Sequence, residues 1–198
     1  MTTFFVYLDS PRRVALVDGT PNVTGGEGGR ETAAGLGDTV LKLRVYALDD
    51  PGPESWLPAL TPFVKLKIPT GDDKRGLSTG KPDGGLGIEF DKQFKSFFLL
   101  GDVGYTFMGD PPDQNFRDRP AASLGFGVPL GPKWSVVAML DWRRALVRGT
   151  DDPLEVLGIL TARLSPTLTV SPHAFLGLTD GSPDWGIGFE ISYRLGRW

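Results

Sequence analysis

Apolar side chains recur at every second position through most of this chain, while the i, i+3, i+4 spacing of an amphipathic helix is almost absent. Between Val40 and Leu48, Leu41, Leu43, Val45 and Ala47 alternate with Lys42, Arg44 and Tyr46. Pro62, Val64, Leu66 and Ile68 alternate with Lys65 and Lys67, and Leu86, Ile88 and Phe90 with Gly87, Glu89 and Asp91. Phe97, Leu99, Val103, Tyr105 and Phe107 oppose Asp102, Gly104 and Thr106; Ala122, Leu124, Phe126 and Val128 oppose Ser123, Gly125 and Gly127. Trp134, Val136, Ala138, Leu140 and Trp142 face away from Ser135, Met139, Asp141 and Arg143. Leu154, Val156, Leu160, Ala162 and Leu164 are set against Glu155, Thr161 and Arg163, and Leu168, Val170, Ala174, Leu176 and Leu178 against Thr167, Thr169, Ser171 and His173. A last strand sets Ile187, Phe189, Ile191, Tyr193 and Leu195 against Gly188, Glu190, Ser192 and Arg194, and an opening strand lies around Thr3 to Leu8.

These segments predict about ten strands, several of about eleven or twelve residues, roughly twice the common length in soluble proteins. The links between them alternate in length. Long or polar ones fall near 18 to 37, 69 to 83, 109 to 119, 147 to 152 and 179 to 183, and shorter ones near 49 to 55, 93 to 95, 130 to 132 and 165 to 166. All long links then lie at one end of a barrel, as extracellular loops do in outer-membrane barrels, and the short turns lie with the termini. The expected fold is all-β: one antiparallel up-and-down transmembrane β-barrel domain over residues 1–198, with about ten strands.

Alternation does not say which face is buried. A soluble β-barrel or sandwich binding a small apolar ligand would turn the apolar rows inward; a membrane barrel turns them to lipid. Three features favour lipid. One face of the strands is nearly free of charge while the other carries thirteen charged residues. Phe107, Trp134, Trp142 and Tyr193 stand near the ends of apolar rows, where an interfacial girdle would put them, and the chain closes on an alternating strand with a terminal aromatic, ISYRLGRW.

Composition agrees and narrows the chemistry. The chain has 198 residues with 27 glycines, 17 prolines and no cysteine, so disulfides and thiolate chemistry are excluded. A net charge of -3 leaves no basic footprint for nucleic acid. No segment reaches the roughly 18 to 20 apolar residues of a membrane helix. The opening MTTFFVYLDSPRR has no basic region ahead of its short apolar run and does not read as a secretory signal.

The charged face is expected to line a solute path: Lys42, Arg44, Lys65, Lys67, Glu89, Asp91, Asp102, Asp141, Arg143, Glu155, Arg163, His173, Glu190 and Arg194. The competing expectation is that these charges pair across strands and fill a narrow barrel. Ser171 and the single histidine, His173, share a face and have the spacing of a nucleophile and base, but neither Asn22 nor Asn115 is expected in a strand to orient the imidazole. A polar lumen pair is therefore expected, and no enzyme. Acidic clusters at Asp72-Asp73, Asp110 to Asp118, Asp151-Asp152 and Asp180 to Asp184 lack calcium-loop spacing and read as solvated loop charge. The stretch GDDKRGLSTGKPD from Gly71 imitates a phosphate loop, but Leu77 stands where the lysine must be and the following LGIEF alternates as a strand. A water-facing loop is expected there. Neither cofactor nor metal is called for; the expected partners are membrane lipid and a small-molecule solute, with oligomeric state left open.

Several motifs taken in order resemble the family of outer-membrane proteins named for the MetA pathway of phenol degradation. They are GLGDTVLKLRVYAL from Gly35, LTPFVKLKIPTGD from Leu60 followed by STGKPDGGLGIEF, DVGYTF from Asp102, and LTDGSPDWGIGFEISYRL from Leu178. The resemblance covers roughly residues 30 to 195. It implies an outer-membrane channel or transporter for small solutes, aromatic or hydrophobic compounds among them, in a Gram-negative bacterium. Family members carry a signal peptide and further strands ahead of the GLGD segment, which implies a barrel of twelve strands if an N-terminal pair is missing here.

Overall fold

The structure, a computed structural model, describes residues 2–17, 20–75, 77–112 and 115–193. Among the described residues, ten antiparallel strands form one closed sheet in which each strand pairs with its sequence neighbours and the first pairs with the last. They are β1 (Thr2–Val17), β2 (Thr20–Arg44), β3 (Ala59–Ile68), β4 (Asp83–Gln93), β5 (Phe98–Phe107), β6 (Arg119–Pro129), β7 (Trp134–Arg143), β8 (Leu154–Arg163), β9 (Leu168–Gly177) and β10 (Trp185–Tyr193). Among the described residues the one helical element is a 3-10 turn, Asp73–Arg75. The expected up-and-down barrel is thus the observed one. Strands of about ten residues, at about 3.3 Å each and tilted by about 40°, reach about 25 Å, the height of an apolar membrane band.

The apolar rows face outward. Leu43, Val64, Leu86, Val103, Leu124, Leu140, Val156, Leu176 and Ile187 are exposed, while their strand neighbours Lys67, Thr106, Ser123, Arg143 and Glu155 are buried. This is the reverse of a soluble barrel, where burying apolar area drives folding; the inward-facing alternative is overturned by the orientation of these rows. Phe107 and Trp142 stand on the outer wall at the end of the barrel nearest the β5–β6 and β7–β8 links, and Trp134 at the other end. The aromatics thus mark both rims.

Glycines on the strands make room for aromatic rings. A Cβ at Gly87 would meet the Phe63 ring at 2.6 Å, one at Gly101 the Phe90 ring at 2.7 Å, and one at Gly127 the Phe98 ring at 2.1 Å. Each ring therefore reaches over the bare backbone of a neighbouring strand, into space that a side chain there would occupy.

Two links depart from expectation. The stretch between 18 and 37, expected as a loop, is mostly strand: β1 and β2 continue as a paired ribbon to Val17↔Thr20, with register shifts between Thr3/Phe5, Ser10/Arg12 and Arg12/Val14. Its glycine-rich sequence carries no apolar alternation, so main-chain pairing left no trace in the pattern. The 49 to 55 link was expected to be short, but β2 ends at Arg44 and the connection runs to Pro58. Val45, Ala47 and Leu48 still donate backbone hydrogen bonds to Pro62 and Leu60, so the apolar alternation persists past the regular strand. The remaining links on that end, at 94 to 97, 130 to 133 and 164 to 167, are short as expected.

Candidate functional site

The inner wall is built from the alternate positions, and the structure divides it into two kinds of surface. On β2 to β4 it is charged. Lys42 Nζ lies 2.5 Å from Glu89 Oε1, and Arg44 Nε donates to Glu89 Oε2 at 2.8 Å, so one carboxylate serves two cations. Lys42 also sits 3.8 Å from the centre of the Phe63 ring, a cation–π contact that fixes its stem against the wall. Strands β3 and β8 lie five places apart in the closed order, so they face each other across the lumen. Midway along β7 to β9 the inner wall is apolar. Met139, Leu157 and Phe175 are ladder partners across three strands, and Val137 and Ile159 are partners next to them. Val137 and Phe175 are buried.

Buried ion pairs stand at the loop end of the barrel. Lys67 is wholly buried with Asp38 and Asp83: its Nζ lies 3.2 Å from Asp38 Oδ2 and 2.6 Å from Asp83 Oδ2, and it donates to Thr79 Oγ1 at 2.7 Å. Thr79 belongs to the link between β3 and β4, the GDDKRGLSTGKPD stretch. That link was expected to face water, yet Leu77, Ser78 and Thr79 are buried. The correction has a physical cause: an ammonium with two carboxylates still has a third proton to place, and the Thr79 hydroxyl accepts it. On the opposite wall Arg143 bridges Asp141 and Glu155, with Arg143 Nη2 to Glu155 Oε1 at 2.5 Å. Asp102 accepts from the Ser123 hydroxyl at 2.5 Å.

Of the other expected lumen residues, Lys65 lies across Gly85, where a Cβ would be 2.6 Å from its Cε. Asp91 falls on the same face of β4 as Glu89, towards the short-turn end. Glu190 accepts from Ser192 at 2.7 Å, and Arg163 is exposed at the short-turn rim. Arg194 lies outside the described residues. Ser171 and His173 are not coupled: the Ser171 hydroxyl is 3.3 Å from Thr161 Oγ1, and His173 Nδ1 is 3.4 Å from the Ser171 carbonyl.

Sequence reasoning missed two groups. Asp38 and Asp83 were not singled out because each lies at the edge of an apolar alternation, within GLGD and KPDGG, where a turn carboxylate is the ordinary reading. The apolar inner wall was missed because Val137, Leu157 and Ile159 sit between residues of the outer apolar rows. A run of consecutive apolar residues, such as Val136 to Leu140 and Val156 to Leu160, was the available signal that both faces are apolar there.

Of the loop carboxylates Asp72, Asp73, Asp110, Asp151, Asp180 and Asp184 are exposed, and three carboxylates on these links accept backbone hydrogen bonds. Asp110 accepts from Phe116 N at 2.8 Å, Asp118 from Met108 N at 3.0 Å and Asp152 from Ala145 N at 2.8 Å. They cap backbone and hold the links in shape. Among the described residues no cluster of three metal-ligating side chains occurs.

A closed ten-stranded sheet with an apolar outer wall, aromatic rims and a charged, loop-capped interior defines an outer-membrane type of β-barrel. A family model described as "Putative MetA-pathway of phenol degradation" matches residues 5–195, and the chain belongs to that family. The crystal structure of an outer membrane channel from Pseudomonas putida F1 has the same fold, with a TM-score of 0.62 over 97% of this chain and 94% of that one at 14% sequence identity. No curated protein matches the sequence.

Proposed function

We propose that the protein is an outer-membrane channel, not an enzyme, that passes small aromatic or hydrophobic solutes through the barrel lumen. The observation that carries this reading is the two-sided inner wall: Met139, Leu157 and Phe175 on one side, Lys42, Arg44 and Glu89 across from them. A solute with an apolar ring and a polar group meets a complementary surface on each side. The similar structure is that of an outer membrane channel and the family is named for phenol degradation, which supports the same reading. In this reading ten of the fourteen residues expected from sequence fall into three groups. Lys42, Arg44, Lys65, Glu89 and Asp91 line the path, Lys67 and Arg143 anchor the loop end, and Glu190, Arg163 and His173 lie on β8 to β10.

The test is to refold the full chain into planar bilayers and liposomes. Heat-modifiable migration, stepwise conductance and faster entry of phenol than of a sugar of similar mass are expected. A folded protein that neither conducts nor speeds phenol entry would overturn the proposal.

A further inference from the structure

Above the apolar belt of the outer wall lies a polar cavity of about 600 Å³ lined by Tyr105, Arg117, Asp118, Arg144 and Arg148. Register places it on the outside of the barrel. Tyr105 pairs with Pro120, and Arg144 N donates to the Pro120 carbonyl at 3.0 Å, so the three form one row across β5, β6 and the end of β7. Their neighbours Thr106, Arg119 and Arg143 are the buried, inward-facing ones, which leaves Tyr105 and Arg144 outward. One step down the same strands stand Val103 and Trp142, both exposed on the apolar wall.

The cavity is held in shape. Phe116, Leu146, Met108 and Val147 form a small apolar core between the two links that supply the arginines, and Arg117 N donates to the Leu146 carbonyl at 2.8 Å. Asp118 is engaged by Met108 N and, at 3.4 Å, by the Tyr105 hydroxyl. Among the described residues no ion pair is formed by the guanidinium groups of Arg117, Arg144 or Arg148. Three cations thus stand around one carboxylate, at the level where the apolar wall meets the loops.

We infer that this cavity binds the phosphorylated headgroup of an outer-leaflet lipid, whose acyl chains would lie on Val103 and Trp142 below. Guanidinium forks match phosphate oxygens in pairs, and an anion held at an interface by three of them needs no other partner. A solute in transit would not meet the site, because it opens on the wall and not on the lumen. The inference rests on the reading of the chain as an outer-membrane barrel with its long links outside.

The experiment measures binding of bisphosphorylated lipid A to the full chain refolded in detergent, with enzymatically dephosphorylated lipid A and inorganic phosphate as separate arms. Replacing Arg117, Arg144 and Arg148 together by Gln is expected to weaken binding by about tenfold or more, as loss of charge-assisted bonds does. Removing the phosphates should weaken it equally, inorganic phosphate should not compete, and a Lys95→Gln/Lys133→Gln variant at the opposite rim should bind as the unmodified chain does. Unchanged binding by the triple variant with intact heat-modifiable migration would overturn the inference. So would competition by inorganic phosphate, which would make this a soluble-anion site. Orientation is tested apart from binding: in this cysteine-free chain, Asp151→Cys should react with an impermeant maleimide on intact cells. Its protection would count against the barrel orientation and leave the detergent result to judge the cavity.

Discussion

Lys67 on β3 and Asp83 on β4 are ladder partners whose charged atoms lie 2.6 Å apart with neither side chain reaching solvent. Asp38 on β2 completes the group at 3.2 Å. Removing the cation alone would leave two buried carboxylates facing each other. Lys67→Met is therefore expected to destabilise the barrel by about 3–5 kcal/mol, the usual loss when one partner of a buried pair is removed. It should also free the Thr79 segment, making Lys74 a site of tryptic cleavage. Urea unfolding in micelles reads the first effect and a digest the second. Adding Asp38→Asn and Asp83→Asn to Lys67→Met should restore most of the stability; a triple variant no better than the single one would mean that the charges are not what matters.

The Gly127 and Phe98 pair makes a separate prediction about packing. A methyl group at Gly127 would fall 2.1 Å from the Phe98 ring, on the inner wall. Gly127→Ala should cost about 1–3 kcal/mol, the range for forcing an extra carbon into a filled site. Shortening the ring with Phe98→Leu in the same chain should recover much of it. If the two substitutions simply add in urea unfolding, the ring does not depend on the missing side chain.

How far the sequence reached can be judged from these same residues. Period-two alternation located the barrel strands because lipid outside and water or side chains inside impose opposite chemistry on successive positions. Where neighbours differ as plainly as Val64 and Lys65, the two faces cannot be exchanged. Alternation failed where both sides of a strand have the same character. Val136 to Leu140 is apolar throughout, so its inward members stayed hidden. Thr20 to Gly37 is glycine-rich and polar, so a strand looked like a loop. Long-range pairings were also illegible: nothing near Asp38 announces Lys67, because the contact is set by the register between β2 and β3.

The link between β2 and β3 is anchored by Asp50, and its titration can be predicted. Its carboxylate pairs with Lys92 and also accepts from Gln93 N at 2.7 Å and Gly52 N at 2.9 Å, and Lys92 Nζ donates to the Gly52 carbonyl at 2.7 Å. The Lys92 ammonium, helped by the two backbone donors, lowers the Asp50 carboxyl from 3.8 to about 2. Because the anchored form holds its proton less readily, anchoring is fully present above the ordinary value and is lost as pH falls through about 2. Amide exchange at Gly52 and Gln93, corrected for intrinsic rates, should stay slow down to pH 3 and rise only below it. Asp50→Asn should show fast exchange at both amides at every pH. Loss of protection already between pH 5 and 4 in the unmodified chain would remove Asp50 as the anchor.

The two sides of the inner wall can be tested against each other. Leu157 lies between Met139 and Phe175 on the apolar side, so Leu157→Glu places a charge where the proposed channel would hold an aromatic ring. Partition of a ring onto such a wall is worth about 1–2 kcal/mol at about 25 cal/mol per Å². Phenol entry into liposomes is then expected to fall by about tenfold. Entry of a small neutral amide should change little. Across the lumen, Lys42→Gln removes one of the two cations on Glu89 and leaves Arg44 to hold it. It should shift the preference between small anions and cations towards cations, with phenol entry nearly unaltered. The proposal requires these responses to separate. Equal loss of every solute in both variants would show only a blocked barrel, and unaltered phenol entry in Leu157→Glu, with folding intact, would place the aromatic path elsewhere.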